Sequence, residues 1–583
     1  MIKVKRSGLL VGFSVAAILA GALGSSVALA KGAAVAPGTE ALVSVGSPVG
    51  PFAQNKQNEP AMAVDAWHSN ILAAGSNDEI DLEACSAGDP TRCPFTPGVG
   101  VSGIYFSFDS GKTWTQPTYQ GLSARTCVTT GTPCTPQIGP IGTLPGYYEA
   151  GLSSDGDPAL AFGPRPGSNG FSWANGSRLY YANLTSNILA KRDETFRGFE
   201  GIAVSRTDDV KAAAANDATA WMAPVIASKQ SATTFSDKEQ IWADNASTSP
   251  YFGNVYVCDA SFRSQELGLA TPAPLILATS TDGGTTWANQ QISPAANNSQ
   301  NNPPDGCTVR TDSHGVVYVF GIGTDATTKL TGELLSRSFD GGRSFEAFRF
   351  LFPVVKPGLF DTALGRPTMD GIAGARVDLA AAPSVDIANG APTGADATDE
   401  LLINWADGAI NAEKSLLRYS TDHGQTWSAS VPVSGGSDRP YLTAISISPN
   451  GTDAYLTYDA YLAPYQRTTS TLRPMQAVVK HAPVTGGLPG AFTEIHRGKT
   501  GDARGSSQNN LRAEFFGDYV YAVATRSYGA VVWNDVRNGA DCPAIDTFRA
   551  GIEAGTSPAR PSPNTDCPLT FGNTDIYGFT TAP

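Results

Sequence analysis

Ser107–Trp114 reads SFDSGKTW, and its spacing returns as STDGGTTW (Ser280–Trp287), SFDGGRSF (Ser338–Phe345) and STDHGQTW (Ser420–Trp427). Each copy is Ser-x-Asp-x-Gly-x-Thr/Ser-Trp/Phe after a short apolar run such as VSGIYF or APLILAT. Four copies in one chain mark repeated supersecondary units. Two extended runs around a Gly- and Asp-bearing corner read as antiparallel strands joined by a tight turn. Asp109, Asp282, Asp340 and Asp422 suit bonds to backbone N–H groups two residues on. Gly111, Gly284, Gly342 and Gly424 suit positive φ. Trp114, Trp287, Phe345 and Trp427 return a large ring to the sheet face. A calcium loop is the rival reading, but each copy has too few carboxylates and lacks the ~12-residue ligand spacing.

Outward from these corners the chain is strand after strand with Gly and Pro punctuation, an all-β pattern. A recurring order emerges: a strand opening on a polar residue, a second strand, then the corner hairpin. The openings are Glu59-Pro60, Asp157-Pro158, Lys238-Glu239, Asp305, Arg366-Pro367, Arg439-Pro440 and Asp518. The second unit keeps Ser205 and Thr207 as a decayed corner. Seven units of similar size predict one β-propeller of four-stranded antiparallel blades over residues 41–583, with six blades as the alternative. Ala41–Val45 is free to pair after Ile576–Thr580 and close the ring. The loops Ser86–Gly100, Ser123–Ser153 and Ala540–Asn573 are long enough to serve function or to be decoration.

Met1–Ala30 reads as a secretory leader: Lys3, Lys5 and Arg6, an apolar stretch, and Ala28-Leu29-Ala30 as a cleavage site. Residues 31–40 then form a flexible start, and no other stretch is long and apolar enough for a membrane span. The chain carries 40 basic and 53 acidic residues, net −13, or −16 without the leader's three cations. That surface argues against nucleic acid, whose binding needs cations against phosphates. Eight cysteines in an exported chain predict four disulfides: Cys85–Cys93, Cys127–Cys134, Cys542–Cys567 and, by remainder, Cys258–Cys307. No metal is expected and no cofactor is required; calcium has no recognisable spacing. An extracellular monomer is the expectation.

The four strings resemble the Asp-box, or bacterial neuraminidase repeat, of sialidase-like β-propellers. The resemblance implies that the boxes are structural, on the turn between third and fourth strands, and that the active site lies at one end of the central channel. The strand openings gather Glu59, Asp157, Glu239, Asp305, Arg366, Arg439 and Asp518 towards one end of that channel, with Tyr441, Tyr519 and Tyr521 nearby. Such a set suits glycan recognition or hydrolysis, which usually uses two carboxyl groups, or a Tyr nucleophile in sialidases. Glu59, Asp157, Glu239, Asp305, Glu514 and Tyr519 are the catalytic candidates, with Glu514 and Tyr519 as a Tyr–Glu pair. Arg366, Arg439, Arg512, Asp518 and Tyr441 are the substrate-binding candidates. The family's opening Arg-Ile-Pro is replaced here by Asn58-Glu59-Pro60. A glycosidase of the exo-sialidase-like kind is the first reading. A non-catalytic glycan- or protein-binding propeller is the second, and a polysaccharide lyase the third, because fold alone does not decide function.

Overall fold

The apolar runs that flank each box become neighbouring strands of one twisted sheet. The computed structural model describes residues 37–583 except 47–49, 51, 55, 88–89, 92, 94, 189–199, 229–233, 264–272, 295–304, 326, 371–374, 468–470 and 508–509. The expected leader and its cleavage after Ala30 lie outside the described residues.

Seven antiparallel sheets follow one another. Blade 1 has Gln57–Val64, Leu72–Asp78 and Ser102–Ser107, with a single Phe106–Thr115 bridge where a fourth strand would lie. Blade 2 runs Ala159–Gly167, Gly170–Asn187, Gly201–Thr207, Trp221–Ser228. Blade 3 runs Thr234–Ala243, Val255–Arg263, Leu275–Ser280, Ala288–Gln291. Blade 4 runs Asp305–Thr311, Val317–Thr324, Thr331–Ser338, Arg349–Pro353. Blade 5 runs Ser384–Ile387, Leu401–Asp407, Lys414–Ser420, Val431–Pro432. Blade 6 runs Arg439–Ile447, Asp453–Tyr461, Pro474–Thr485, Thr493–Arg497. Blade 7 runs Tyr521–Ala524, Gly529–Asp535, Asp575–Thr580 and takes Thr39–Leu42 as its outer strand, Thr39 opposite Thr580. The seven first strands touch in succession, blade 7 returning to blade 1, so they line a closed channel. The blade count is seven, not six. The closing strand is Thr39–Leu42, starting two residues before Ala41 and ending just before Val43, which is fully buried between blades 7 and 1.

The core is a set of wedges. Seven apolar clusters among the described residues each fill one blade–blade interface. Each box ring packs on the cluster shared with the preceding blade: Trp114 with blade 7, Trp287 with blade 2, Phe345 with blade 3, Trp427 with blade 4.

All four boxes occupy the turn after the third strand and share one bond set. In the first, Ser107 Oγ accepts from Gly111 N at 2.9 Å, and Asp109 takes Thr113 N at 2.9 Å and Thr113 Oγ1 at 2.6 Å. The third box repeats this between Ser338, Asp340, Gly342 and Ser344. Two consecutive residues are left-handed, φ 73° at Gly341 and 86° at Gly342, which explains the glycine. In blade 2 the decayed box gives way to the short helix Val210–Ala214, capped by Asp209. The four expected disulfides all form. Cys258–Cys307 ties blade 3 to blade 4. The loops Ser86–Gly100 and Ala540–Asn573 meet at the end where first strands begin: Arg560 Nη1 donates to Ser86 Oγ at 2.8 Å, and Ile545 and Phe548 of helix Pro543–Glu553 pack with Cys85 and Cys93.

Candidate functional site

The first strand of most blades breaks its register where it begins. Bulges fall between Asn58 and Ala61, Asp237 and Gln240, Asp305 and Thr308, and Pro440 and Thr443. The φ angle is positive at three of these bulges, 55° at Glu59, 59° at Lys238 and 56° at Gly306, and just before the first strands of blades 2 and 7, 51° at Asp157 and 83° at Gly517. A bulge re-aims a side chain. Here it turns charged groups of several blades onto one axis.

Lys238 is the hub. Its Nζ lies 2.7 Å from Asp518 Oδ2, 3.0 Å from Asp157 Oδ2, 3.6 Å from Asp237 Oδ1 and 3.8 Å from Glu59 Oε1. A second cation, Arg376, reaches Asp518 Oδ2 at 2.5 Å and Glu59 Oε1 at 3.8 Å, and lies over the Phe515 ring at 4.3 Å. Asn77, on the second strand of blade 1, donates to Glu59 Oε2 at 2.6 Å and accepts from Asp157 N at 2.6 Å. Asp518 N donates to Glu59 Oε1 at 2.9 Å. Tyr441 Oη donates to the carbonyls of Arg376 and Gly517, so it sets the backbone under both partners. Outside this knot, Arg366 pairs with Asp378 at 3.2 Å, both about one-third exposed.

The environment splits the acids. Burial, then the neighbouring Asp157 charge, pushes Glu59 well above the usual carboxylate range. Burial acts the same way on Asp157, but the Lys238 ammonium outweighs it and leaves Asp157 below its ordinary value. Asp518 is likewise held down, against burial, by Arg376 and Lys238. The environment thus drives the two neighbouring carboxyl groups apart, Glu59 towards its protonated form and Asp157 towards its ionised form. Burial raises Asp305 to about 6.

The sequence-predicted residues divide accordingly. Glu59, Asp157 and Asp518 meet; Arg366 borders them; Tyr441 supports them. Asp305 lies at the same end, accepting from Gly306 N at 2.8 Å. The Glu239 carboxylate and Tyr519 hydroxyl are buried with no hydrogen-bond partner among the described residues. Glu514 and Tyr519 do not pair: Glu514 Oε2 accepts from Tyr461 Oη at 3.2 Å instead. Arg439 is buried against Glu413 at 2.9 Å and the Met369 carbonyl, beside the Asp370–Arg473 pair. Arg512 is exposed on the surface near Ala363.

Two cations central to the cluster escaped the sequence reading. Lys238 shares the left-handed backbone of Glu59 and Asp157 at its strand opening, so aligning on that conformation rather than on acid chemistry selects it over Glu239. Arg376 comes from the excursion before blade 5, outside the repeated order, and carries no local signal.

Among the described residues no group of three or more His, Cys, Asp or Glu is placed to hold a metal ion, and no helix is long and apolar enough to cross a membrane.

The BNR/Asp-box repeat model matches residues 418–429. No curated protein matches the chain by sequence. Solved structures similar to it include Hadza microbial sialidase Hz136 (13% identity, 70% of this chain and 63% of that one, TM-score 0.38). The Trypanosoma rangeli sialidase in complex with the inhibitor DANA is another (10% identity, 70% and 53%, TM-score 0.37). The Fusarium graminearum α-L-arabinofuranosidase Arb93A is a third (11% identity, 73% and 92%, TM-score 0.36). The chain thus spans less than two-thirds of either sialidase. With its seven closed blades and four box turns of one hydrogen-bond pattern, the last of them matched by the repeat model, the chain is a seven-bladed β-propeller carrying BNR/Asp-box repeats.

Proposed function

We propose that the protein is an exported glycan-acting propeller, a glycoside hydrolase-like enzyme working where the first strands begin. The observation that carries this reading is the convergence of Glu59, Asp157 and Asp518 from blades 1, 2 and 7 on Lys238. One acid is driven towards its protonated form beside one driven towards its ionised form. That is the division of labour glycosidic cleavage asks of a carboxyl pair: Glu59 gives a proton to the leaving oxygen, and Asp157 takes the electrostatic or base role. Arg366 and Asp378, on the accessible rim, would meet the sugar's polar groups. The four disulfides fit an oxidising compartment, and a leader at Met1–Ala30 would deliver a single-domain monomer there. The test is release of sugar from a panel of sialosides, arabinosides and plant and microbial glycans. Glu59→Gln and Asp157→Asn should abolish turnover while near-UV circular dichroism stays native. Turnover unchanged in both variants rejects the assignment.

One feature favours a non-catalytic, glycan-binding reading instead. The Glu59 and Asp518 side chains are each only 1% exposed, and their charges are met internally. Glycan binding with no turnover on any panel member selects this reading.

A further inference from the structure

The channel's other end, where the first strands finish and the box turns lie, holds a separate cavity of about 190 Å³. That is room for about six waters at ~30 Å³ each. Its floor is Arg310, 7% exposed, lying over the Trp242 ring at 4.7 Å. Arg310 Nη1 is spent on the Val309 carbonyl, but its buried Nε has no hydrogen-bond acceptor among the described residues. Asp386 is 3.6 Å from that Nε and gives Oδ2 to Ser446 Oγ and Ile447 N. The walls combine Phe162, Ile387 and Val523 with the amides of Asn245 and Asn389, themselves joined at 2.8 Å. Both arginines there are paired, Arg310 with Asp386 and Arg526 with Asp396 at 2.6 Å, and Asp65 accepts from Trp67 N at 2.8 Å beside His68 Nδ1 at 3.1 Å. An anionic ligand finds no unpaired arginine, whereas a polyol finds the Asn245 and Asn389 amides, the Arg310–Asp386 pair and apolar walls.

At the rim, Trp67 is 48% exposed and stands between the lining residues Ala66 and Ser69. Its indole is stacked on Trp173, centroids 6.4 Å apart and planes 6° from parallel. Trp173 is fixed by Nε1 bonds of 3.2 Å to the Asn245 and Pro392 carbonyls. An exposed ring so anchored is a rigid platform beside a polar-floored cavity. We propose that this end of the channel binds one ring of a neutral sugar, held by Trp67 at the rim and Arg310 at the floor. It is a site distinct from the acid cluster and does not depend on it.

The test is titration of the protein with D-glucose, D-galactose and L-arabinose, and with glucuronate as the anionic control, up to about 50 mM, the weak end of useful affinity. Trp fluorescence and saturation-transfer NMR read binding. At least one neutral sugar should bind. Trp67→Ala should weaken it about tenfold without moving the unfolding midpoint, since the side chain is half exposed. Ser527→Trp, at an exposed position on the cavity wall, should block it. Glu59→Gln should leave it unchanged. The proposal is overturned if no neutral sugar binds, if glucuronate binds more tightly, or if both box-end variants bind normally. It is also overturned if Glu59→Gln removes binding, which would place the sugar at the acid cluster.

Discussion

Lys238 Nζ stands 2.7 Å from Asp518 Oδ2 and so joins blade 3 to blade 7 across the channel. These strands are nearly 300 residues apart in sequence, and the bond exists only because the ring closes. Removing the cation strands buried carboxylates. Lys238→Met should therefore destabilise by about 3–5 kcal/mol, read by denaturant unfolding. Glu59→Gln, which imitates the protonated acid, should cost under about 1 kcal/mol. Equal costs would show that Glu59 is ionised in the native protein.

Glu514 tests the opposite sign. Burial raises it to about 8. A folded value above the unfolded one gives stability that is full below about pH 4.5 and lost as pH rises towards 8. Glu514→Gln keeps an acceptor for Tyr461 and removes that penalty. It should gain roughly 2–4 kcal/mol over wild type at pH 8.5 and little at pH 4. A gain that does not change with pH refutes the assignment.

Glu40 closes the ring at the acid end of the scale. It lies on the outer strand of blade 7, 2.7 Å from His496 Nε2 of blade 6, and pairs with Arg537 Nη1 at 2.5 Å. Burial would raise it, but these bonds hold it down at about 2. Its contribution is present above about pH 4.5 and lost as pH falls towards 2. The side chain is 21% exposed, so solvent screening trims this to about 1–3 kcal/mol. Glu40→Gln should flatten that part of the stability–pH curve.

The disulfides should rank by loop length. Cys258–Cys307 closes a separation of 49 residues and Cys127–Cys134 one of 7. Chain entropy puts their losses at about 4 and about 2 kcal/mol. Paired Cys→Ala variants, compared by thermal unfolding, check the order. A larger loss from the short loop would contradict it.

The box corner should behave as architecture. Gly342→Ala places a methyl 3.0 Å from Tyr256 Cε1 at φ 86° and should cost about 1–3 kcal/mol while leaving any turnover at the proposed acid site intact. Loss of turnover at full stability would give the box a functional role.

Local sequence spoke for whatever local geometry decides. Ser107, Asp109, Gly111 and Trp114 bond almost wholly within their own eight residues, so the corner and its three repeats could be read directly. The seven-blade order followed from the recurring sequence of polar strand opening, second strand and corner, and the near-neighbour cysteine pairs from their spacing. The gathering of Glu59, Asp157 and Asp518 was readable because each opens a strand at the same point of the repeat.

What only the tertiary structure decided is which side chains share that axis and in what charge state. Lys238 rather than Glu239 faces the acids because a bulge shifts the pleat by one residue. Arg376 arrives from a non-repeating excursion. Arg439 and Arg512, alike in sequence as clamps, are placed one in a buried ion pair and one in solvent. Glu59 is pushed up and Asp157 held down because burial and a cation from another blade act on them unequally. Backbone corners depend on contacts within a few residues; electrostatics depends on distances through space, and those exist only once the seven sheets close into a ring.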